Sequence, residues 1–142
     1  VQRVSVLKRR EMNKNYILLV SSLKVAKKLV LHQGQAFLDR HSSLIEGTTL
    51  LLPASSAVPQ WCQKDGDVAL RVSTHPVARA LCEHFDHPIV STSANTAGGI
   101  PAVDEGMLAE YFPDGLAGFL PGMPGLKPPT TILHALTGRV LR

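Results

Sequence analysis

The chain has 142 residues, 44% hydrophobic and 18% charged, which is long enough to bury a core and too apolar for a disordered polymer. Fifteen basic against eleven acidic residues leave +4, an excess that favours phosphate-bearing partners, whereas 5% aromatics argue against an interface built on base stacking. Two cysteines rule out a disulfide scaffold, and no apolar run reaches membrane-spanning length.

Val1–Leu7 has the pattern of the last turns of an amphipathic segment, and no methionine precedes it. The expectation is a chain that begins inside a domain. Tyr16–Val20 is a continuous apolar run of strand length, the kind covered on both faces. Ser21-Ser22 is placed to cap a helix through Leu31, with Gly34 where that helix ends. Residues 35–40 form a weaker helix. Thr48–Leu52 reads as a strand, and Pro53–Gly66 as a loop rich in Ser, Pro and Gly.

Val68–Ser73 is the next strand. Pro76 fits the first position of a helix reaching Phe85, with Val77, Ala80, Leu81 and Phe85 as its buried stripe. Ile89–Ser91 is a short strand, and 94–101 a Gly-rich loop. Asp104 is placed to cap a short helix ending at Tyr111. After the breaker-rich 121–129, Thr130–Leu133 and Arg139–Leu141 pair as a hairpin around Thr137-Gly138. Strands alternate with helices but the end is antiparallel. The predicted fold is therefore α/β, a twisted mixed sheet flanked by helices in one domain over 1–142. Cys62 and Cys82 are read as reduced packing thiols of a cytoplasmic protein. The six histidines have no zinc-motif spacing, so no metal site is expected.

Two strands carry the chemistry. On Val68–Ser73 the two-residue period puts Arg71 and Ser73 on one face. A half-buried Arg needs an anionic partner, either a structural carboxylate or a ligand. Ser73 and the following helix N-terminus add hydrogen-bonding groups suited to phosphate. The second strand ends in Ser91-Thr92-Ser93-Ala94-Asn95, hydroxyls and an amide that offer donors and acceptors without charge. The same serines also have a bland role in capping the strand end. Lys8-Arg9-Arg10 alone reads as a solvated charge run, His75 as a helix-entry residue, and Thr130 and Thr131 as strand residues without a further role.

Lys8-Arg9-Arg10, then Arg71-Val72-Ser73-Thr74-His75-Pro76, then Ser91-Thr92-Ser93-Ala94-Asn95, in that order, resemble the YrdC/TsaC family, the L-threonylcarbamoyladenylate synthases. The likeness runs from Val1 to Arg142 and closes on Thr130-Thr131-Ile132 and Leu141-Arg142. It implies a YrdC-like fold that is N-terminally incomplete, because the family's opening strand and Pro-Thr-Glu turn have no counterpart here. It also implies a reaction: ATP, L-threonine and bicarbonate give threonylcarbamoyl-AMP and pyrophosphate, for threonylcarbamoyladenosine modification of tRNA. By the same resemblance Lys8, Arg10 and Arg71 are catalytic, and Lys14, Ser73, Ser91, Ser93, Asn95 and Arg142 bind ATP or threonine. Magnesium is expected on the ATP phosphates. Double-stranded RNA or tRNA and a downstream threonylcarbamoyl-transferase complex are the implied partners.

The chain departs from the family pattern at Leu44-Ile45-Glu46-Gly47, where Trp-Pro-Gly-Pro is usual, and at Glu11 and Ala97. Alternative readings are a catalytically impaired RNA-binding module and an inactive fragment.

Overall fold

The computed structural model describes residues 2–9, 16–120 and 130–142. By compactness the chain divides into two units: Val1–Lys14 with Thr92–Pro128, and Asn15–Ser91 with Pro129–Arg142.

The larger unit is built on a mixed sheet. Its strands are β1 (Ile17–Val20), β2 (Thr49–Pro53), β3 (Gln63–Lys64), β4 (Asp67–Val72), β5 (Ile89–Ser91) and β6 (Ile132–His134). The order is β5-β1-β4-β2-β6, with β3 on β4. β1 runs parallel to β4 and β6 parallel to β2; the β1·β5, β2·β4 and β3·β4 pairs are antiparallel. The mixed sheet predicted from the alternating pattern is therefore present.

The sheet has two unlike faces. Leu18, Val20, Leu50, Leu52, Val68, Leu70 and Val72 point one way and are buried. They meet Ala26 and Leu29 of the α2 segment (helix Leu23–Lys28), Leu38 of α3 (His32–Arg40), and Ile45, Val58 and Cys62. Burying each such side chain contributes roughly 1.5–3 kcal/mol relative to exposure. Ile45 is fully buried, so the Leu-Ile-Glu-Gly replacement puts an apolar plug into the core through a 3-10 turn at Leu44–Glu46. The alternate residues face the other way: Thr49, Leu51 and Ala69 are buried there too, whereas Ile17, Leu19, Asp67, Arg71, Ile132 and His134 are only half-buried.

Three expectations need correction. First, the helix drawn from Ser22 to Leu31 stops early. Ser22 caps it through Oγ, accepting from Val25 N at 3.4 Å, but α2 ends at Lys28, and Val30 bridges to Ala54. Gly34 is not a terminus but lies inside α3, where a Cβ would sit 3.0 Å from Val30 Cβ and 3.6 Å from Leu52 Cδ2. Close packing, not helix ending, explains the glycine. Second, the loop 53–66 contains β3, joined to β4 by Asp65-Gly66 with φ of 54° and 81°. That Asp-Gly pair is a two-residue hairpin signal.

Third, α4 (Pro76–Phe85) buries Cys82, with Ala78 and Leu81 half-buried, while Val77 is 42% and Phe85 52% exposed. The helix packs chiefly on one strand, β1. A single line at spacing i, i+3, i+4 is then enough, rotated from the predicted stripe. Phe85 instead stacks on His87, ring centroids 5.7 Å apart.

The closing hairpin is as predicted. Leu133 bridges Val140, His134 N donates to Arg139 O at 2.9 Å, and Ile132 N to Arg142 O at 2.9 Å. In the smaller unit, α1 (Gln2–Leu7) matches the expected first segment. There too α5 (Glu105–Tyr111) is capped by Asp104, whose Oδ1 accepts from Met107 N at 2.8 Å. Both thiols are buried and unpaired with each other.

Candidate functional site

The larger unit carries a cluster of two arginines on the open sheet face. Arg71 sits near the end of β4, anchored by its neighbours Leu70 and Val72 in the core. Its Nη1 donates to Thr130 Oγ1 at 2.5 Å, and Thr130 Oγ1 lies 3.5 Å from Oγ1 of the fully buried Thr49. Arg142 is brought alongside by the hairpin and reaches the Thr130 carbonyl through Nη2 at 3.5 Å. Burial, and then the positive charge of Arg142, lower the pKa of the Arg71 guanidinium from its ordinary value. Arginine nevertheless stays charged.

The sequence argument required a carboxylate or a ligand for Arg71. The ion pairs among the described residues are Lys27–Asp39 and Arg79–Glu83, and the imidazole of His134 meets the carboxylate of Asp67. Arg71's described hydrogen-bond partner is instead a hydroxyl. A hydroxyl satisfies one N–H without neutralising the charge. The corner therefore holds two guanidinium charges and neutral partners, which is an arrangement suited to an incoming polyanion. Ser73, 8% exposed, is close in sequence, and its Oγ accepts from His75 N at 3.3 Å, which shapes the entry to α4. His75 is the residue preceding that helix and makes no side-chain cap. Ser91 ends β5 opposite Ile17.

The smaller unit carries a second cluster. The buried Lys8 ammonium donates to Ser93 O, to Asn95 O at 2.6 Å and to Asn95 Oδ1 at 3.4 Å. Ser93 Oγ donates to the same Asn95 Oδ1. The Asn95 amide nitrogen donates to Thr96 O at 2.8 Å and Gly99 O at 2.7 Å. Here a cation organises a loop: its carbonyls turn inward onto the ammonium, and the Asn amide ties the loop's two ends.

Of the residues singled out from sequence, the structure joins Arg71 with Arg142, and Lys8 with Ser93 and Asn95. Ser73 and Ser91 make no described hydrogen bond to either group. Arg10 and Lys14 lie outside the described residues. Sequence reasoning missed Thr130, read as a plain strand residue, which takes Arg71 on its hydroxyl and Arg142 on its carbonyl. It also missed the pair His134 and Asp67, whose Nε2 and Oδ2 lie 3.2 Å apart. A signal existed for Thr130: a β-branched hydroxyl at the start of a strand, two positions before an apolar residue. Nothing in the sequence ties His134 to Asp67.

The Sua5/YciO/YrdC family model, described as telomere recombination, matches residues 1–142. A curated protein of Methylococcus capsulatus named threonylcarbamoyl-AMP synthase is 37% identical over 145 residues, covering 100% of this chain and 78% of its own length. Among solved structures, E. coli YciO superposes with a TM-score of 0.74 at 21% identity, covering 99% of this chain and 71% of that one. P. abyssi Sua5 complexed with L-threonine matches at TM-score 0.64 and 25% identity over 77% of this chain, which spans 33% of that larger chain.

Proposed function

The chain belongs to the Sua5/YciO/YrdC family, and we propose that it makes threonylcarbamoyl-AMP and pyrophosphate from ATP, L-threonine and bicarbonate. The observation that carries this reading is the Arg71–Arg142 corner, two guanidiniums gathered about Thr130 without a carboxylate partner among the described residues. The likeness of all 142 residues to proteins named threonylcarbamoyl-AMP synthase supports it.

In this reading the threonine amine attacks the carbon derived from bicarbonate, with loss of water, to give a carbamate. A carbamate oxygen then attacks the α-phosphorus of ATP, and pyrophosphate leaves. Neither step needs a covalent enzyme intermediate. Holding the reactants in line supplies roughly 7–11 kcal/mol of the barrier reduction, against about 1.5–3 kcal/mol for one charge-assisted hydrogen bond. Arg71 and Arg142 would neutralise the phosphates, and pyrophosphate is the leaving group that most needs such help. Family likeness gives Lys8 a catalytic part and Ser93 and Asn95 a part in binding ATP or threonine. Ser73, Ser91, Arg10 and Lys14 are assigned to the same substrates by family likeness.

Magnesium is written as part of the ATP substrate, carried on its phosphate oxygens. No group of three His, Cys, Asp or Glu among the described residues is placed to hold a metal. Residues 1–142 are taken as one YrdC-like domain, in keeping with the span of the family match. No described helix is long and apolar enough to cross a membrane. A cytoplasmic setting, contact with tRNA or double-stranded RNA, and hand-over of the adenylate to a transferase complex complete the proposal.

The test is direct. Folded protein is incubated with ATP, L-threonine, bicarbonate and magnesium, and both the adenylate and pyrophosphate are quantified. Stoichiometric appearance of the two products is expected. Their absence from well-folded protein at every magnesium concentration rejects the activity for this chain.

A further inference from the structure

We propose that His134 and Asp67 are a positioning pair whose link between β6 and β4 sets the span on which Arg71 and Arg142 are held for phosphate. The proposal rests on the phosphate role given to those two arginines above.

The topology makes the case. β4 and β6 are not neighbours, because β2 lies between them. β4 is antiparallel and β6 parallel to β2, so β4 and β6 run in opposite directions. Asp67 and Arg71 are four residues apart on β4. Thr130 and His134 are four residues apart on the segment that becomes β6. The two-residue period puts each pair on one face, and the opposite chain directions bring Asp67, level with Pro53 of β2, diagonally towards His134, level with Leu51, and Arg71 in the same way towards Thr130.

The result is two side-chain rungs over the same central strand: His134 Nε2 to Asp67 Oδ2 at 3.2 Å, and Arg71 Nη1 to Thr130 Oγ1 at 2.5 Å. They stand about 13 Å apart along the strands at the usual rise per residue. Backbone hydrogen bonds tie each outer strand to β2. The side-chain rungs add direct links between β4 and β6 across β2. The hairpin then carries that setting to Arg142, through Ile132 N to Arg142 O at 2.9 Å and His134 N to Arg139 O at 2.9 Å.

The imidazole's other nitrogen defines the form of the rung. His134 Nδ1 is buried and has no hydrogen-bond partner among the described residues. A proton there would be a buried donor with no acceptor, at a cost of about 1–3 kcal/mol. A bare Nδ1 lone pair is the cheaper state. Nε2 then carries the proton and donates it to Asp67. The rung is an imidazole N–H on a carboxylate, with the other ring nitrogen turned to a buried position.

The experiment is a calorimetric titration of the full chain with inorganic triphosphate, with thermal melting recorded in parallel. His134→Leu and Asp67→Leu should each weaken triphosphate binding about fivefold, the scale of one lost hydrogen bond. His134→Gln, which can return an N–H to the Nε2 position, should bind within about twofold of wild type. Asp67→Asn keeps an acceptor and should do the same. If His134→Leu fails to fold, the two Asp67 variants decide the matter. A long-range proton–nitrogen spectrum should place the imidazole proton on Nε2 alone. Unchanged triphosphate affinity in the leucine variants, with only the melt affected, overturns the proposal, as does a proton found on Nδ1. Wild-type protein that binds triphosphate but makes no adenylate rejects the synthase reading and leaves this one standing. Wild-type protein that takes up no triphosphate overturns both.

Discussion

Leu70 and Arg71 are consecutive in the chain and leave β4 on opposite faces. Leu70 is fully buried among Leu18, Leu50 and the α2–α3 side chains, whereas Arg71 is half-buried with a hydroxyl for a partner. One face is apolar, closed and non-directional in its energetics; the other is polar and directional. The contrast shows how two adjacent residues of one strand can serve stability and chemistry, although Ala69 on Arg71's face is buried as well. The core residues on either side of Arg71 hold its backbone still, so the guanidinium is aimed by packing it takes no part in.

That division can be broken from either side, and the largest effect is expected in the core. Leu70→Ala should destabilise the fold by about 2–5 kcal/mol, read from urea unfolding, because the cavity sits under the sheet's centre. A loss below 1 kcal/mol there would mean the two faces are not as different as described. Next, Arg71→Met should lower triphosphate affinity roughly 10–150-fold, the equivalent of one charged hydrogen bond, while leaving the melting temperature unchanged or raised. A variant that melts early but binds normally would move Arg71 to the structural side. Thr130→Val removes the hydroxyl and keeps the shape. It should weaken triphosphate binding several-fold, about 1 kcal/mol, with little change in stability.

The smallest effect concerns Cys62 on the closed face. Burial raises its thiol pKa from 9.0 to about 11. The folded-state value exceeds the unfolded one, so its contribution is full below pH 9 and is lost as pH rises towards 11. Melting should therefore show a modest fall over that window, and alkylation of native protein at pH 8 should be slow. A Cys62→Ser variant with the same alkaline profile would remove the thiol as its cause.

Much of this was legible in the sequence because the signals were local. Strand runs such as Tyr16–Val20, the caps at Ser22 and Asp104, Pro76 at a helix start and the closing hairpin each rest on a few adjacent residues. The placement of Arg71 on a strand face followed from the two-residue period. What escaped was set by partners far along the chain. Gly34 looked like a stop signal, but Val30 and Leu52 crowd it. Helix α4 offered several apolar positions, and the single strand it meets selected a different line from the one periodicity favoured. Thr130 and Arg71 are 59 positions apart, so their bond had no local trace. The Asp65-Gly66 turn was readable and was passed over because its strand, Gln63–Lys64, is only two residues long and polar.

The missing methyl at position 34 has a wider reach than its own helix. With 3.0 Å to Val30 Cβ and 3.6 Å to Leu52 Cδ2, the helix rests against strand β2 like a shim of fixed thickness. Alanine at 34 would press on Val30 first, while meeting Leu52 of β2 only at ordinary contact distance. The added carbon would therefore be felt where the chain passes from α2 into α3, at the residue that bridges to Ala54.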